Sequence, residues 1–207
     1  MRTIEIRPEA VSPRTMQQVA EALTERQAVV AFPTDTGYAF GCVPGAQSAL
    51  QRIQRVKGLT ASHTWTLLCP DLGCLGKFGL LDTPHFRQVK RVIPGPYTFV
   101  LPVTAEVPNQ LKQKKRSTIG IRISDDPVVK GLLDALGGPL VTTSARVQGD
   151  EWALEDAVSI AEVCGDAIDL LLDAGVVPPN PSTMVDLTEQ EPAILRYGSG
   201  DPAPFGG

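Results

Sequence analysis

Residues 28–42 read AVVAFPTDTGYAFGC and carry the signals on which the fold and the site depend. The run AVVAFP from Ala28 is continuous and apolar and ends in proline, which is typical of a buried strand. A loop rich in hydroxyls and glycine is predicted from Thr34 to Gly41. Because ligands bind in open α/β sheets where strands end and loops begin, this junction predicts a binding site beside a buried strand.

Helical and strand patterns alternate on both sides of this stretch. Ser12-Pro13 predicts the start of an amphipathic helix, and a second helix is predicted to end at Lys57-Gly58. Further strands are predicted at TIEIR, TLLC, YTFVLP, TIGIRI, LVTTS, IDLLLD, TMVDL and AILR. This interleaving predicts an α/β or mixed α+β fold in a single domain over residues 1–207, with a core from about residue 12 to 200 and a loose tail at 197–207.

Composition excludes several classes of protein. The 207 residues include 19 Lys+Arg and 23 Asp+Glu, a net charge of −4, which argues against nucleic-acid binding by the whole surface but is compatible with a local basic groove. There is no apolar run of about 18 residues and no signal peptide pattern, so we expect a cytoplasmic protein with no membrane partner. The four cysteines have neither zinc nor CxxC spacing and are expected to be reduced and mostly buried.

Polar clusters fall at the ends of four predicted strands. Hydroxyls in loops usually cap helices and turns, so each cluster alone is weak, but four together predict a polar site. They comprise Thr34, Asp35 and Thr36, then Thr142, Thr143 and Ser144, then Ser182 and Thr183, and finally Arg196.

Positive charge is concentrated between Val107 and Ser124. The cationic residues there are Lys112, Lys114, Lys115, Arg116 and Arg122, with no acidic residue among them. The run KQKKR is either a solvated loop or helix face, or a patch that faces phosphate. Arg122 alternates with Ile121 and Ile123 and therefore lies on the other face of its strand, where it either pairs with a carboxylate or points into a ligand groove.

The residues alone do not name a reaction. The chain has no Walker P-loop, no GxGxxG after a strand and no GxSxG. Periodicity and composition therefore predict an α/β domain with a polar, cationic cleft.

Several segments nevertheless resemble a known family. FPTDTGYAFGC is similar to the PTDTxYGLG signature of the threonylcarbamoyl-AMP synthase family, the YrdC-like domain. PGPYTFVLP, TIGIRI, PLVTTSA, STMVDL and AILRYG resemble its PGPxTxVL, TVxVRxP, PLxxTSAN, STVVDL and ILRxG segments, in family order from about residue 12 to 205. Within the family, the chain resembles the YciO subgroup most.

The resemblance implies a fold and a chemistry. It implies a twisted mixed sheet with flanking helices around a large positive cavity. Family synthases make threonylcarbamoyl-AMP from ATP, L-threonine and bicarbonate, assisted by Mg²⁺, for tRNA modification. A carbamate oxygen attacks the α-phosphorus and pyrophosphate leaves, so catalysis needs alignment and cationic stabilisation rather than a protein nucleophile.

The resemblance also assigns residues. By it, Thr36 holds the amino acid, Thr34 and Tyr38 shape the same pocket, and His63 contacts the amino acid. The remaining matches are Thr118 and Arg122 at cavity positions, Thr142 and Ser144 in the TS of TSAN, Ser182 in STVVDL, and Arg196 near the nucleotide. Lys57 matches the lysine of a KxR motif, although without the resemblance the favoured interpretation is a cation at a helix C-terminus that interacts with the helix dipole.

Two motifs depart from the family pattern. KxR becomes Lys57-Gly58-Leu59, and SxN becomes Ser144-Ala145-Arg146. One interpretation is that Arg146 supplies the charge missing at Leu59, which makes Lys57, Ser144 and Arg146 the candidate catalytic residues. Three functions stay open: an altered or weak synthase, a module that binds double-stranded RNA, tRNA or the ribosome, and a nucleotide hydrolase.

Overall fold

The secondary structure alternates along the chain as the sequence predicts. A computed structural model describes residues 1–59, 63, 65–112, 117–149 and 153–207. The α-helices in these residues are α1 (Pro13–Glu25), α2 (Gln47–Lys57), α3 (Leu72–Phe78), α4 (Thr83–Val92), α5 (Pro127–Leu136) and α6 (Ala157–Cys164). The strands are β1 (Arg2–Glu5), β2 (Val30–Phe32), β3 (Ala39–Cys42), β4 (Thr66–Leu68), β5 (Tyr97–Pro102), β6 (Thr118–Arg122), β7 (Leu140–Ser144), β8 (Leu170–Asp173), β9 (Thr183–Asp186) and β10 (Ala193–Arg196).

All ten of these strands form one mixed sheet. Their order is β1-β8-β2-β3-β7-β4-β6-β5-β9-β10. The pairs β1–β8, β2–β8, β4–β6 and β5–β9 are parallel, and the others are antiparallel. The prediction of a mixed α/β fold is therefore confirmed.

Helices cover the two faces of the sheet unequally. Alternation along β2 sends Val30 and Phe32 toward α1 and α5, and Ala31 toward the opposite face with α2, α3, α4 and α6. Within the described residues, the apolar cluster around α1 and α5 includes no residue of β5, β6 or β9. These strands thus have one face that neither of the two helices covers.

The first helix forms where its capping signal predicts. The Ser12 side chain accepts a hydrogen bond from the Thr15 amide at 3.3 Å, and Pro13 occupies the first turn. Met16 and Leu23 on its apolar stripe are buried. None of the helices in the described residues has the length and apolar character needed to cross a lipid bilayer.

The prediction of a loop from Thr34 to Gly41 is wrong at its second half. β3 begins at Ala39 and pairs antiparallel with both β2 and β7. The glycine at position 41 argued against a strand here, since glycine usually weakens a strand. Here it is required by packing, because a Cβ at Gly41 would lie 2.7 Å from a Leu140 methyl carbon and 2.9 Å from the Phe32 ring.

Two further elements differ from expectation. The sequence analysis did not predict α3, whose seven residues include Gly73 and Gly76, which weaken any helical pattern. The expectation of a loose tail is not met: Phe205 is buried with its ring centroid 5.8 Å from that of Phe99. The Tyr97 hydroxyl also donates a hydrogen bond to the Asp201 carbonyl at 3.1 Å.

Candidate active site

A cavity of about 730 Å³ lies on the uncovered part of the sheet. Leu68 belongs to the apolar cluster around α1 and α5, so its register partner Arg122 faces the same side. Thr66 follows by alternation, and Thr142 is its register partner on β7. The sheet therefore places hydroxyls and a guanidinium on the cavity floor.

Most of the residues that the sequence singled out lie around this cavity. Of the twelve, those that line it are Thr34, Thr36, Tyr38, Lys57, His63, Arg122, Thr142, Ser144, Arg146, Ser182 and Arg196. Thr118 is buried at the start of β6, four residues from Arg122, and is not among the lining residues. The fold thus brings eleven residues together and leaves Thr118 apart.

The turn between β2 and β3 is held by its own hydroxyls. The Thr34 hydroxyl donates to the Gly37 carbonyl at 2.7 Å and accepts from the Thr36 amide at 3.1 Å. Gly37 has a φ of +107°, and a Cβ there would come within 3.2 Å of the Pro179 Cα. Glycine is needed at this position both for its backbone conformation and for the close approach of the neighbouring loop.

Arg122 is one of two buried cations of the cavity, the other being Lys57. One guanidinium nitrogen (Nη2) lies 2.5 Å from Oδ2 of Asp35, and Nη1 donates to the Thr36 hydroxyl at 2.5 Å. Ser124 donates to the other Asp35 oxygen. Burial lowers the pKa of Arg122, and the charge of Asp35 opposes that shift. Its Nε is buried and has no hydrogen-bond partner among the described residues.

Lys57 connects α2 to the loop that follows β7. Gly58 ends the helix in the left-handed conformation, and the Lys57 Nζ donates to the carbonyls of Ser144 and Arg146, the latter at 2.7 Å. Burial, with the positive charge of Arg146, lowers the pKa of Lys57 to about 8. The Lys57 ammonium is therefore held by carbonyl groups of a distant segment of the chain, and the dipole of α2 is not the main reason for its position.

His63 lines the cavity with its imidazole. Its Nε2 is buried and makes no hydrogen bond with any described residue, while its ring meets Trp65 edge to face at a centroid distance of 5.1 Å. Burial, together with the charge of Lys57, lowers the pKa of His63 to about 4. His63 is therefore neutral at pH 7 and offers one nitrogen to a ligand.

Arg196 and Ser182 form a second polar network on the opposite wall. The Ser182 hydroxyl lies 2.7 Å from that of Thr98 and accepts from Arg196 Nη2 at 3.0 Å. Arg196 Nε donates to the Ser182 carbonyl at 3.0 Å. Burial lowers the pKa of Arg196, and the charges of Arg122 and Arg146 add to this effect. The mutual influence of these guanidinium groups indicates that they share one cavity.

Two lining hydroxyls serve the fold as well as the cavity. The Thr142 hydroxyl donates to the Thr66 carbonyl at 3.3 Å. The Tyr38 hydroxyl donates to the Gly175 carbonyl and accepts from the Ala174 amide, both at 3.0 Å. Tyr38 thus shapes the wall by fixing the segment after β8.

The cavity is strongly cationic. Four basic residues line it, namely Lys57, Arg122, Arg146 and Arg196, and none of its lining residues in the described part of the chain is acidic. Walls with one sign of charge raise the local concentration of anions. A polyanionic ligand fits this arrangement.

Comparisons with known proteins agree with this geometry. The model of the Sua5/YciO/YrdC family, described as "Telomere recombination", matches residues 22–198. The chain belongs to this family. It is 38% identical over 200 residues to YciO of Escherichia coli K12, covering 97% of each protein, and the crystal structure of E. coli YciO superimposes with a TM-score of 0.93 over 99% of this chain and 98% of that one.

Family members with synthase names are more distant. Threonylcarbamoyl-AMP synthase of Vibrio vulnificus YJ016 is 32% identical over 187 residues, 88% of this chain and 98% of that protein. P. abyssi Sua5, solved with L-threonine, superimposes with a TM-score of 0.86 and 26% identity over 96% of this chain and 58% of that chain. The resemblance drawn from the sequence motifs is thereby confirmed.

Both departures from the family motifs face the cavity. Leu59 lines it and packs against the apolar core beside α2. Arg146 is exposed as a residue, lines the same cavity, and lies close enough to Lys57 to lower the pKa of its ammonium. An apolar group and a guanidinium therefore both occupy the wall that carries Lys57.

Sequence reasoning missed two polar residues of the site. Asp35 was noted only as part of a hydroxyl cluster, yet it provides the countercharge of Arg122. Thr98 lines the cavity and holds Ser182, and its position in YTFVLP was interpreted only as strand. Alternation with buried Tyr97 and Phe99 was the signal for Thr98.

Proposed function

We propose that the protein binds ATP and L-threonine, or a related amino acid, and transfers an adenylyl group in the manner of threonylcarbamoyl-AMP synthase, with a rate or substrate altered by Leu59 and Arg146. The observation that carries this proposal is the cavity of about 730 Å³, lined by four cations and no acid among the described residues. Its volume suits a nucleotide with a small second substrate.

The distribution of groups suits the two substrates of such a reaction. The hydroxyls of Thr34 and Thr36 and the free nitrogen of His63 suit the ammonium, hydroxyl and carboxylate of an amino acid. Arg122 and Arg196, which both line the cavity, suit phosphate oxygens, which guanidinium groups bind well. L-threonine is the ligand named for the P. abyssi relative, which supports the amino-acid assignment.

Magnesium would enter with the nucleotide. No group of three His, Cys, Asp or Glu side chains in the described residues is arranged to hold a metal ion, and Asp35 is engaged by Arg122 and Ser124. Mg²⁺ commonly relies on phosphate oxygens and water with few protein ligands, so this donor set fits it. When bound with ATP, it would neutralise charge on the phosphates.

Leu59 and Arg146 are the reason to expect altered activity. Loss of one phosphate-binding guanidinium typically costs a few kcal/mol of transition-state binding, or roughly 100-fold in rate. Arg146 restores the charge from another loop, in a different position. We place this reaction in the cytoplasm, where free thiols such as those of this chain stay reduced.

The test is threonine-dependent release of pyrophosphate from ATP in the presence of bicarbonate and Mg²⁺. The unmodified protein is compared with the double variant Leu59→Arg/Arg146→Asn, and Arg91→Gln on the exposed side of α4 is the control. Release by the unmodified protein would show that Arg146 compensates for Leu59. Release by the double variant alone would indicate a synthase scaffold adapted to another substrate.

No release from either protein would contradict the proposal. It would favour binding of an RNA phosphate backbone, as tRNA or double-stranded RNA, or hydrolysis of another nucleotide. The cationic run that first suggested RNA falls largely outside the described residues, since only Lys112 of Lys112 to Arg116 is described. RNA binding, if present, should weaken as salt rises.

A further inference from the structure

Among the described residues, Lys57 is the only lysine that lines the cavity, and it has no carboxylate partner there. Its side chain is buried, with 7% of the residue exposed. The Nζ atom donates to two main-chain carbonyls, those of Ser144 and Arg146. These bonds use two of the three hydrogens of an ammonium, so a neutral amine can make both and still has its lone pair.

The charged residues around Lys57 in the cavity disfavour a further cation. Arg122, Arg146 and Arg196 line the same cavity, and no acidic residue in the described part of the chain lines it. Burial and the positive charge of Arg146 lower the pKa of Lys57 to about 8. At pH 7, about one tenth of the molecules then carry a neutral amine at this position. A neutral lysine amine is a nucleophile, so this fraction of the protein can react with an electrophile.

We propose that Lys57 is a modification site for carbon dioxide, which its amine converts into a lysine carbamate. The ammonium first releases a proton to water. The lone pair of the amine then attacks the carbon of carbon dioxide, the N–C bond forms, one C=O π bond breaks, and the nitrogen releases a second proton. Overall, one ammonium and one carbon dioxide give one carbamate anion and two protons.

The cavity suits the carbamate better than it suits the ammonium. A negative charge replaces a positive one beside three guanidinium groups, so the repulsion from Arg146 becomes an attraction. Guanidinium groups bind the paired oxygens of a carboxylate well, and a carbamate offers the same pair of oxygens. The carbamate nitrogen keeps one hydrogen, so only one of the two carbonyl bonds of Lys57 is given up. The electrostatics of the site therefore favours the modified lysine.

The modification would couple the charge of the cavity to the supply of carbon dioxide. Each carbamate removes two units of positive charge from a cavity that four basic residues line. Anionic ligands would then be held less tightly, because the attraction of the walls for anions is reduced. The inference rests on Lys57 and its neighbours, and it does not depend on the proposed synthase activity.

The test is chemical trapping of the carbamate in the folded protein. The protein is equilibrated near neutral pH with isotopically labelled bicarbonate, which supplies labelled carbon dioxide, and is treated with triethyloxonium, which ethylates carbamates to a stable product. Trypsin does not cleave after a modified lysine, so the label appears in a peptide of residues 56–77 instead of 58–77. Lys130, an exposed lysine of α5, is the internal control, and its modified peptide spans residues 123–146.

We expect the label at Lys57 to exceed that at Lys130 at least about tenfold, because each unit by which its pKa is lowered raises the neutral fraction about tenfold. Protein unfolded in guanidinium chloride should carry equal label at the two lysines. Arg146→Gln should lower the label at Lys57 several-fold, since the cation that favours the carbamate is lost. Arg91→Gln, on the exposed side of α4, should match the parent, and circular dichroism checks the fold of each variant.

Equal label at Lys57 and Lys130 in the folded protein would overturn the proposal. An excess at Lys57 that persists in the unfolded protein would do the same, because it would show that the cavity is not the cause. Label at Lys57 that is unchanged in folded Arg146→Gln would also contradict the proposal, since the carbamate would then not depend on the neighbouring cation.

Discussion

Arg122 combines two roles that its position in the sequence left as alternatives. It pairs with Asp35, and it also lines the cavity. A buried guanidinium needs a countercharge, because desolvation of an unpaired ion costs several kcal/mol. Asp35 and the Thr36 hydroxyl engage the two terminal nitrogens of the planar group, so its position in the cavity is fixed.

We expect Asp35→Asn to lower the free energy of unfolding by about 3 kcal/mol, because it leaves Arg122 buried without a countercharge. Urea denaturation at pH 7 measures this loss. Arg52→Gln is the matched control, because Arg52 also pairs with a carboxylate, that of Asp169. The side chains of this pair are more exposed to solvent, at 29% and 43%. That variant should lose less than about 1 kcal/mol. Equal losses in the two variants would contradict the assignment.

His63 should make the protein sensitive to mild acid. Its pKa falls from 6.5 in the unfolded chain to about 4 in the fold, so between these values the unfolded state binds more protons. Its contribution to stability is therefore full above pH 6.5 and is lost as the pH falls toward 4, by at most about 1.4 kcal/mol per pH unit.

Urea denaturation across this pH range tests the prediction. His63→Gln should have a shallower dependence of unfolding free energy on pH than the parent protein between 6.5 and 4. His85→Gln replaces the other histidine and keeps the His63 contribution. Parallel curves for the parent and His63→Gln would show that His63 is not the group that titrates.

At the scale of elements, one ammonium joins two segments that are distant in sequence. Lys57 ends α2, and its Nζ donates to carbonyls of the loop that follows β7, 87 and 89 residues further along the chain. That loop carries Ser144 and Arg146 into the cavity. Lys57 thus positions the loop in addition to supplying charge.

We expect Lys57→Met to loosen this loop and to lower the free energy of unfolding by about 1–3 kcal/mol, the cost of losing hydrogen bonds to a charged donor. Limited trypsin digestion should then cleave after Arg146 faster than in the parent, because local opening exposes that bond. Lys130→Met, an exposed lysine of α5, is the control. Unchanged cleavage at Arg146 would indicate that the loop is held by other contacts.

At the scale of the whole molecule, the cavity is assembled from segments that span most of the chain. Thr34 and Thr36 come from the β2–β3 turn and Arg122 from β6, while Ser182 directly precedes β9 and Arg196 ends β10. A ligand that contacts residues from all of these segments binds only the folded protein, because the unfolded chain has no such site. Its binding therefore stabilises the whole fold.

ATP with Mg²⁺ should therefore raise Tm, with a stabilisation of about 2.7 kcal/mol at one hundred times Kd. Thermal unfolding monitored by fluorescence measures it. Arg146→Gln and Arg196→Gln should each reduce the shift, and higher salt should reduce it further by screening. Arg91→Gln should match the parent. A shift that is unaffected by either cavity substitution would place the nucleotide elsewhere.

Elements whose ends are set by local residues were predicted from the sequence, whereas elements fixed by distant contacts were missed. The start of α1 and the end of α2 were predicted because capping residues and glycine act locally, within one turn. β3 was missed because Gly41 is dictated by Leu140, almost a hundred residues away. The packed tail was missed for a similar reason, since Phe205 is fixed by the Tyr97 and Phe99 rings.

The sequence by itself determined the alternation of strands and helices, the family, and eleven residues of the cavity, because local patterns and motifs encode these directly. Only the tertiary structure decided that Asp35 is the partner of Arg122 and that Lys57 bonds the loop after β7. Ion pairs, burial and the pKa values that follow from them depend on distances between groups in space. Those distances follow from packing over the whole chain.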